Sequence, residues 1–470
     1  MKEKKNYLIL LLLVLSLCAG MAIAFSINDS EAVAKSEKLT YDSRIKDATA
    51  NETKEKCCIR HSETNEIPET KPKETGCVFK TVFGEESSDS NFIYKTPRKV
   101  RTSIDEALDW MMEAQLNNGG WGAGTHARQD VTDPHSVQAD PATTAMVAMA
   151  ILRCDNKIIN GTHSDRLNKA LQYLLKQVEN SDENDLNITD LKGTQPQVKL
   201  GQNIDVVLAS QFLTNISDYI NDPQLKQRIS SCNQKCIAKI QRGQNANGSL
   251  KGAGWAGVLQ SSFATNALET AKEKGLKVDE KKLDQSRAYQ KNNYDVKNKS
   301  VATEEAAGVM LYSLSSTSRA SAKEARVARE RIDQAKKEGK IQKDAEVTAD
   351  NLVKSGMGEA EAMRYESAYE VNQASKIQAQ QDDVMNGFGS NGGEEFLSYL
   401  QTGEGMIRGK DVDWKKWYDN ITGRLVRIQN EDGSWNGHHC ITSPVFCTAT
   451  SLLILSVNND VDKLLALGGK

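Results

Sequence analysis

Three times along this chain the same turn recurs: Gln115 to Trp121 reads Q-L-N-N-G-G-W, Gln244 to Leu250 reads Q-N-A-N-G-S-L, and Gln429 to Trp435 reads Q-N-E-D-G-S-W. Each copy ends an amphipathic segment and leads into a more apolar one, at residues 141–152, 260–270 and 445–457. A helix with one apolar stripe lies on the outside of a fold, and a helix apolar on most sides lies inside it. The turn therefore joins an outer helix to an inner one. Read this way the chain is all-α, a ring of helical hairpins, and the remaining segments can be tested for the same alternation.

The chain opens with a basic pentapeptide, residues 1–5, followed by an almost wholly apolar run, residues 7–25, in which Ala22-Ile23-Ala24 offers small residues for cleavage. Residues 1–24 read as a secretory signal peptide or an uncleaved membrane anchor, and either one carries the body of the protein out of the cytoplasm. Residues 25–101 are rich in Glu, Lys, Ser, Thr and Asn and poor in aliphatic side chains. Such a segment buries too little surface to offset the entropy of ordering it, and reads as a disordered polar linker. Cys57, Cys58 and Cys77 lie within it, and an exported location permits disulfides among the eight cysteines that remain of the chain's nine once Cys18 is set aside.

From Ser103 the composition turns helix-forming. Ser103-Ile104-Asp105-Glu106 has the pattern of a capping box, and Asp140-Pro141 supplies an N-cap and a proline at the first helical position. Residues 164–177 and 413–429 read as outer helices and 204–220 and 303–314 as inner ones. Asp222-Pro223 starts another outer helix, with Cys232 and Cys236 on its buried face. Residues 318–381 depart from the alternation, being dense in Ala, Lys, Glu, Arg and Gln; they read as a solvated, charged helical excursion. A glycine-rich turn then opens a helix at Glu394-Glu395, where two carboxylates satisfy the helix dipole and disfavour phosphate.

The three turns resemble the Q/W repeat of the prenyltransferase and squalene cyclase superfamily, in which outer helix, turn and inner helix repeat and close into an α/α toroid. The resemblance covers residues 102–467 apart from the excursion. It is carried by Gln115, Gly120 and Trp121, by Gln244 and Gly248, and by Gln429, Gly433 and Trp435, with Leu250 replacing the tryptophan of the middle copy. The residues suit the role: Gln bridges helix ends, Gly permits the tight reversal, and Trp wedges between hairpins. The resemblance implies the toroid and leaves the chemistry open. The Asp-x-Asp-Asp acid run expected of a squalene cyclase is missing, as are the Asp-Cys-Thr-Ala of the oxidosqualene enzymes and the reactive Gly-Cys-Gly-Glu-Gln of thioester domains.

In a closed ring the first and last hairpins are neighbours, so their loops meet at one rim. Four of the six histidines, His126, His135, His438 and His439, fall in those two loops, with Asp133, Asp140, Cys440 and Cys447 nearby. His438, His439, Cys440 and Cys447 form a candidate metal set for which zinc is the fitting ion. Cys440 and Cys447, seven residues apart across Pro444, are the direct rival to that set as a disulfide stapling the loop to the helix start, with core thiols as the remaining reading. His126, Asp133, His135, Asp140, Glu394 and Glu395 are the candidate ligand-binding rim. A net charge of -3 gives no footprint for nucleic acid, and an aromatic content of 6% is sparse for a cavity that stabilises carbocations. Three functions follow: a toroid receiving a small or lipid-like ligand, a zinc-dependent transferase or related enzyme with a His/Cys rim, and an interaction scaffold docking a protein partner through residues 318–381.

Overall fold

The computed structural model describes residues 94–154, 161–387, 392–438 and 440–467. The expected signal peptide or anchor, the linker up to residue 93 with Cys57, Cys58 and Cys77, and His439 lie outside the described residues. Among the described residues the fold is all-α, and the single sheet is a two-residue pair, β1 (Tyr294–Asp295) and β2 (Ser300–Val301). No helix among them is long and apolar enough to cross a membrane.

The helices alternate in character along the chain. The first eight are α1 (Arg98–Glu113), α2 (Pro141–Cys154), α3 (Ser164–Asn180), α4 (Gln195–Lys199), α5 (Ile204–Ile216), α6 (Pro223–Arg242), α7 (Gly257–Glu273) and α8 (Glu280–Lys291). They are followed by α9 (Met310–Lys337), α10 (Ala349–Lys354), α11 (Glu359–Ala379), α12 (Asp382–Met385), α13 (Gly393–Arg408), α14 (Trp414–Arg427), α15 (Pro444–Leu455) and α16 (Val461–Ala466). Helices α2, α5, α7, α13 and α15, with the first third of α9, are buried along nearly their whole length. Buried on every side, they offer almost no surface to water and are surrounded by other helices. Each packs on the next: α2 on α5, α5 on α7, α7 on α9, α9 on α13, α13 on α15, and α15 back on α2. The amphipathic helices lie against them, α1 on α15, α3 on α2, α6 on α5, α8 on α7, α11 on α9 and α14 on α13. Helix α3 is representative, burying Leu167, Leu171, Leu174, Leu175 and Val178 on one stripe.

The recurring turn makes the same bonds at all three sites. Gln115 Nε2 donates to Gly119 O (2.8 Å) and to Arg166 O on α3 (2.9 Å). Gln244 Nε2 donates to Gly248 O (3.4 Å) and Lys282 O on α8 (2.7 Å). Gln429 Nε2 donates to Gly433 O (2.8 Å) and Ser103 O on α1 (3.0 Å). The glutamine thus closes its own turn and ties it to the neighbouring outer helix. Gly119, Gly248 and Gly433 have φ of 86°, 95° and 89°. At Gly119 and Gly433 an added Cβ would also stand 2.7 Å from a carbonyl oxygen of that same helix, so glycine is required twice over. The positive-φ glycine of the first copy is Gly119; Gly120 is instead pressed against Ala139. Trp121 and Trp435 donate Nε1–H to Met111 O and Leu425 O, both at 2.9 Å, ten residues back on the preceding helix. Burial of a tryptophan is favourable once that polar edge is satisfied.

Two boundaries differ from expectation. Helix α1 starts at Arg98, so Ser103 is interior to it and caps nothing; its hydroxyl donates to Gln429 Oε1 (2.6 Å). The capping box occurs at Thr194, where Gln197 N donates to Thr194 Oγ1 and Thr194 N to Gln197 Oε1. The inner helix expected to end at residue 314 begins only at Met310 and runs unbroken to Lys337 as α9. The charged excursion is therefore a continuation of an inner helix. It also has an apolar seam of its own, Ala328, Ile332, Leu352, Ala362 and Tyr365, because small residues let α11 lie close along α9.

Candidate functional site

The loops of the first and last hairpins do meet. Gln129 Nε2 donates to Cys440 O and lies 2.9 Å from His126 Nδ1, while Thr442 Oγ1 donates to Gln129 O (3.0 Å). Gln195, the first residue of α4 and fully buried, accepts from Thr442 N (2.7 Å) and Ser443 N (3.1 Å) through Oε1. Its Nε2 is buried without a hydrogen-bond partner among the described residues. Cys440 stands at φ 69°, a left-handed conformation that holds the loop tip in this shape.

At this junction the structure gathers a set of titratable groups. Glu394 and Glu395 occupy the first turn of α13 and are 2% and 0% exposed. Glu394 Oε2 accepts from Ile441 N (3.1 Å). Burial, with the neighbouring Glu395 charge adding to it, pushes the Glu394 carboxyl up to about 8. Glu395 accepts from Gly392 N (3.1 Å) and from the Tyr312 hydroxyl (2.7 Å). Burial, and then the two glutamates, hold that phenol far above its ordinary range. Lys199, the last residue of α4, is buried with its ammonium 4.0 Å from the ring centroid of Trp255, which is 61% exposed. Its charge acts on Glu394, Cys440 and His126 together. Burial and then the Glu394 charge raise the Cys440 thiol to about 11, and burial and then Lys199 lower the His126 imidazole.

Other candidates are committed elsewhere. Asp133 accepts from His135 N (3.0 Å) and Ser136 Oγ (2.6 Å) as the cap of a short turn, at the surface with His135. Asp140 is fully buried and accepts from Ala123 N (2.9 Å), Thr143 N (2.8 Å) and Thr143 Oγ1 (2.8 Å). Both are structural caps with their lone pairs occupied. His438 is exposed, and Cys447, on α15, donates to Ile441 O (3.4 Å) with burial holding its thiol well above the usual range. Cys440 and Cys447 are both thiols and do not form the expected disulfide. Among the described residues no group of three His, Cys, Asp or Glu side chains is placed to hold a metal; the expected zinc set of His438, His439, Cys440 and Cys447 includes His439, which lies outside them.

The rim that forms thus keeps His126, Glu394, Glu395 and Cys440 and adds Lys199, Tyr312, Gln129, Gln195 and Trp255. Lys199 and Gln195 escape sequence reasoning because they belong to the five-residue α4, too short for a helical periodicity to show. Tyr312 was passed over as an inner-helix aromatic. The inner helices also carry polar groups against one another: Ser262 Oγ on α7 donates to Gln401 Oε1 on α13 (2.5 Å), and Gln401 Nε2 is buried without a hydrogen-bond partner among the described residues. Comparison with protein-family models, with curated proteins and with solved structures found no match to this chain.

Proposed function

We propose that this chain is an exported α/α toroid of prenyltransferase/squalene cyclase-like repeats whose rim around Glu394 receives a small polar ligand and presents it with a proton. The packing order of the inner helices and the thrice-repeated Gln turn support the toroid. The observation that carries the function is the buried pair Glu394–Glu395. One carboxyl of the pair is kept neutral near pH 7 beside a lysine, a tyrosine and an unpaired Gln195 amide. A carboxyl in that state donates a hydrogen bond or a proton where an ionised one cannot. Polar groups between the inner helices favour a polar ligand over a lipid-like one, which would leave them desolvated and unpaired.

The test is a thermal-shift panel of small sugars, hydroxy acids, short peptides and the isoprenoid alcohol farnesol on the full chain at pH 6 and pH 9. A polar member of the panel stabilises the protein at pH 6, the shift fades by pH 9 as Glu394 ionises, and Glu394→Gln removes the pH dependence. Stabilisation by farnesol alone, or a shift indifferent to Glu394→Gln at both pH values, would overturn the reading.

A further inference from the structure

The opposite ends of the same inner helices surround a polar cavity. Glu394 is in the first turn of α13 and Arg408 in its last, which places the two ends about 20 Å apart at 1.5 Å per residue. At the Arg408 end a cavity of about 150 Å3 is lined by Arg153, Gln211, Asn215, Arg319, Glu404 and Asp460, among others, and backed by Leu464 and Leu467 around α16. A water occupies about 30 Å3 of liquid, so the space suits a ligand of a few heavy atoms.

The charged groups around it do not balance. Arg319 is 2% exposed; its Nε donates to Glu404 Oε2 (2.8 Å) and its Nη1 to Asn266 Oδ1. Arg153 donates to Glu404 Oε1 (2.9 Å), Asp460 Oδ2 (2.6 Å) and Leu453 O (3.1 Å), which uses every nitrogen it has. Behind them Arg408, 1% exposed, meets Glu269 at 3.1 Å but makes no hydrogen bond among the described residues, and Arg287 donates to that same glutamate (2.9 Å). Four guanidinium groups thus face Glu269, Glu404 and Asp460; Asp284, 71% exposed at its side chain, and Glu273, exposed at the cavity edge, are screened by water, while Lys274 and Lys463 at that edge pair with Asp218 and Asp460. Helix C-termini favour cations, which explains why Arg153 and Arg408 sit at the last turns of α2 and α13. It does not explain the unused groups. Arg319 Nη2 makes no hydrogen bond among the described residues, and Gln211 Oε1, on the cavity wall, is buried with no donor.

We propose that this cavity is a binding site for a small carboxylate bearing a neighbouring hydroxyl or amino donor, its carboxylate taken by Arg319 and its donor by Gln211 Oε1. A surplus guanidinium in a low-dielectric pocket calls for an anion, and an orphaned acceptor beside it calls for an N–H or O–H on the same molecule. The site is separate from the Glu394 rim and stands whether or not that rim binds a ligand.

The probes are glycolate and acetate, titrated calorimetrically into the full chain at pH 7 and low ionic strength. Glycolate binds one equivalent and at least about tenfold more tightly than acetate. Gln211→Leu, on the half-buried wall, weakens glycolate about tenfold and leaves acetate unchanged; Arg319→Lys, which keeps the charge beside Glu404 but lacks the fork, weakens both. Circular dichroism and the thermal midpoint confirm folding of each variant, and the wild-type comparison of glycolate with acetate stands even if a variant fails to fold. No binding of glycolate, equal binding of the two anions, or glycolate affinity unchanged in folded Gln211→Leu would overturn the proposal.

Discussion

Replacing Glu394 by Gln should stabilise the protein, and by an amount that grows with pH. In the folded chain burial and Glu395 push this carboxyl from its ordinary value of 4.5 to about 8. In the unfolded chain neither influence exists. Below pH 4.5 both states hold the proton and the group contributes no pH dependence. As pH rises from there towards 8, ionisation favours the unfolded state alone, so folding stability falls through that window. At 1.36 kcal/mol per unit, the full gap is worth about 4–5 kcal/mol above pH 8 and about 3 kcal/mol at pH 7. Glutamine cannot ionise, yet its carbonyl oxygen still accepts from Ile441 N. Urea unfolding of both proteins at pH 4.5, 7 and 8.5 isolates the effect of Glu394 and the neighbours its charge acts on, because titrating groups remote from it cancel in the difference. Glu269, which three arginines hold down at about 2 against the opposing effect of burial, loses its contribution as pH falls from 4.5 towards 2 and does so in both proteins. A difference that stays flat within about 1 kcal/mol across the three pH values would refute the reasoning. A stabilised variant that has lost ligand binding is the signature of a carboxyl retained for function.

Two further outcomes check the scaffold. Gln429→Leu removes the bonds to Ser103 O and Gly433 O, leaves the Ser103 hydroxyl without its acceptor, and should cost about 2 kcal/mol in urea unfolding; a loss below about 0.5 kcal/mol would show the turn is held by packing alone. Thiol labelling of the folded chain should modify half-buried Cys440 and spare Cys447 until denaturant is added; a mass lower by two hydrogens, with both cysteines protected after unfolding, would restore the disulfide.

The sequence carried the architecture wherever a residue's neighbours along the chain decide its state. Hairpin turns, inner-helix composition and the Asp140 and Asp222 caps are local, and they stand close to where they were read. The start of α1 was misplaced because Ser103 fits a cap by pattern, while the helix entrance is set by Pro97 and by packing of residues 94–100 on the last hairpins. The excursion's seam was hidden because Ala328 and Ala362 look solvated until a second helix lies on them. The rim was legible as a meeting of two loops, from connectivity alone. Which of its carboxylates lie at the surface as caps and which are buried was not, since that depends on what surrounds Asp133 and Glu394 in space.

Bonds between the two ends of the described chain have a consequence for when the fold can be completed. Gln429 reaches Ser103, Asp460 pairs with Arg153, and Asn458 donates to the carbonyl of Tyr94, each across more than 300 residues. Helices α1 and α2 therefore wait for α14 and α15 before their apolar faces are covered. Synthesis runs at about 5–20 residues per second, so the first hairpin stays half-open for tens of seconds, far longer than a helix takes to form. During that interval the nascent chain depends on its own polar surface, or on a chaperone, to avoid association. A ribosome stalled before residue 424 would hold a chain whose beginning is made and cannot yet be finished.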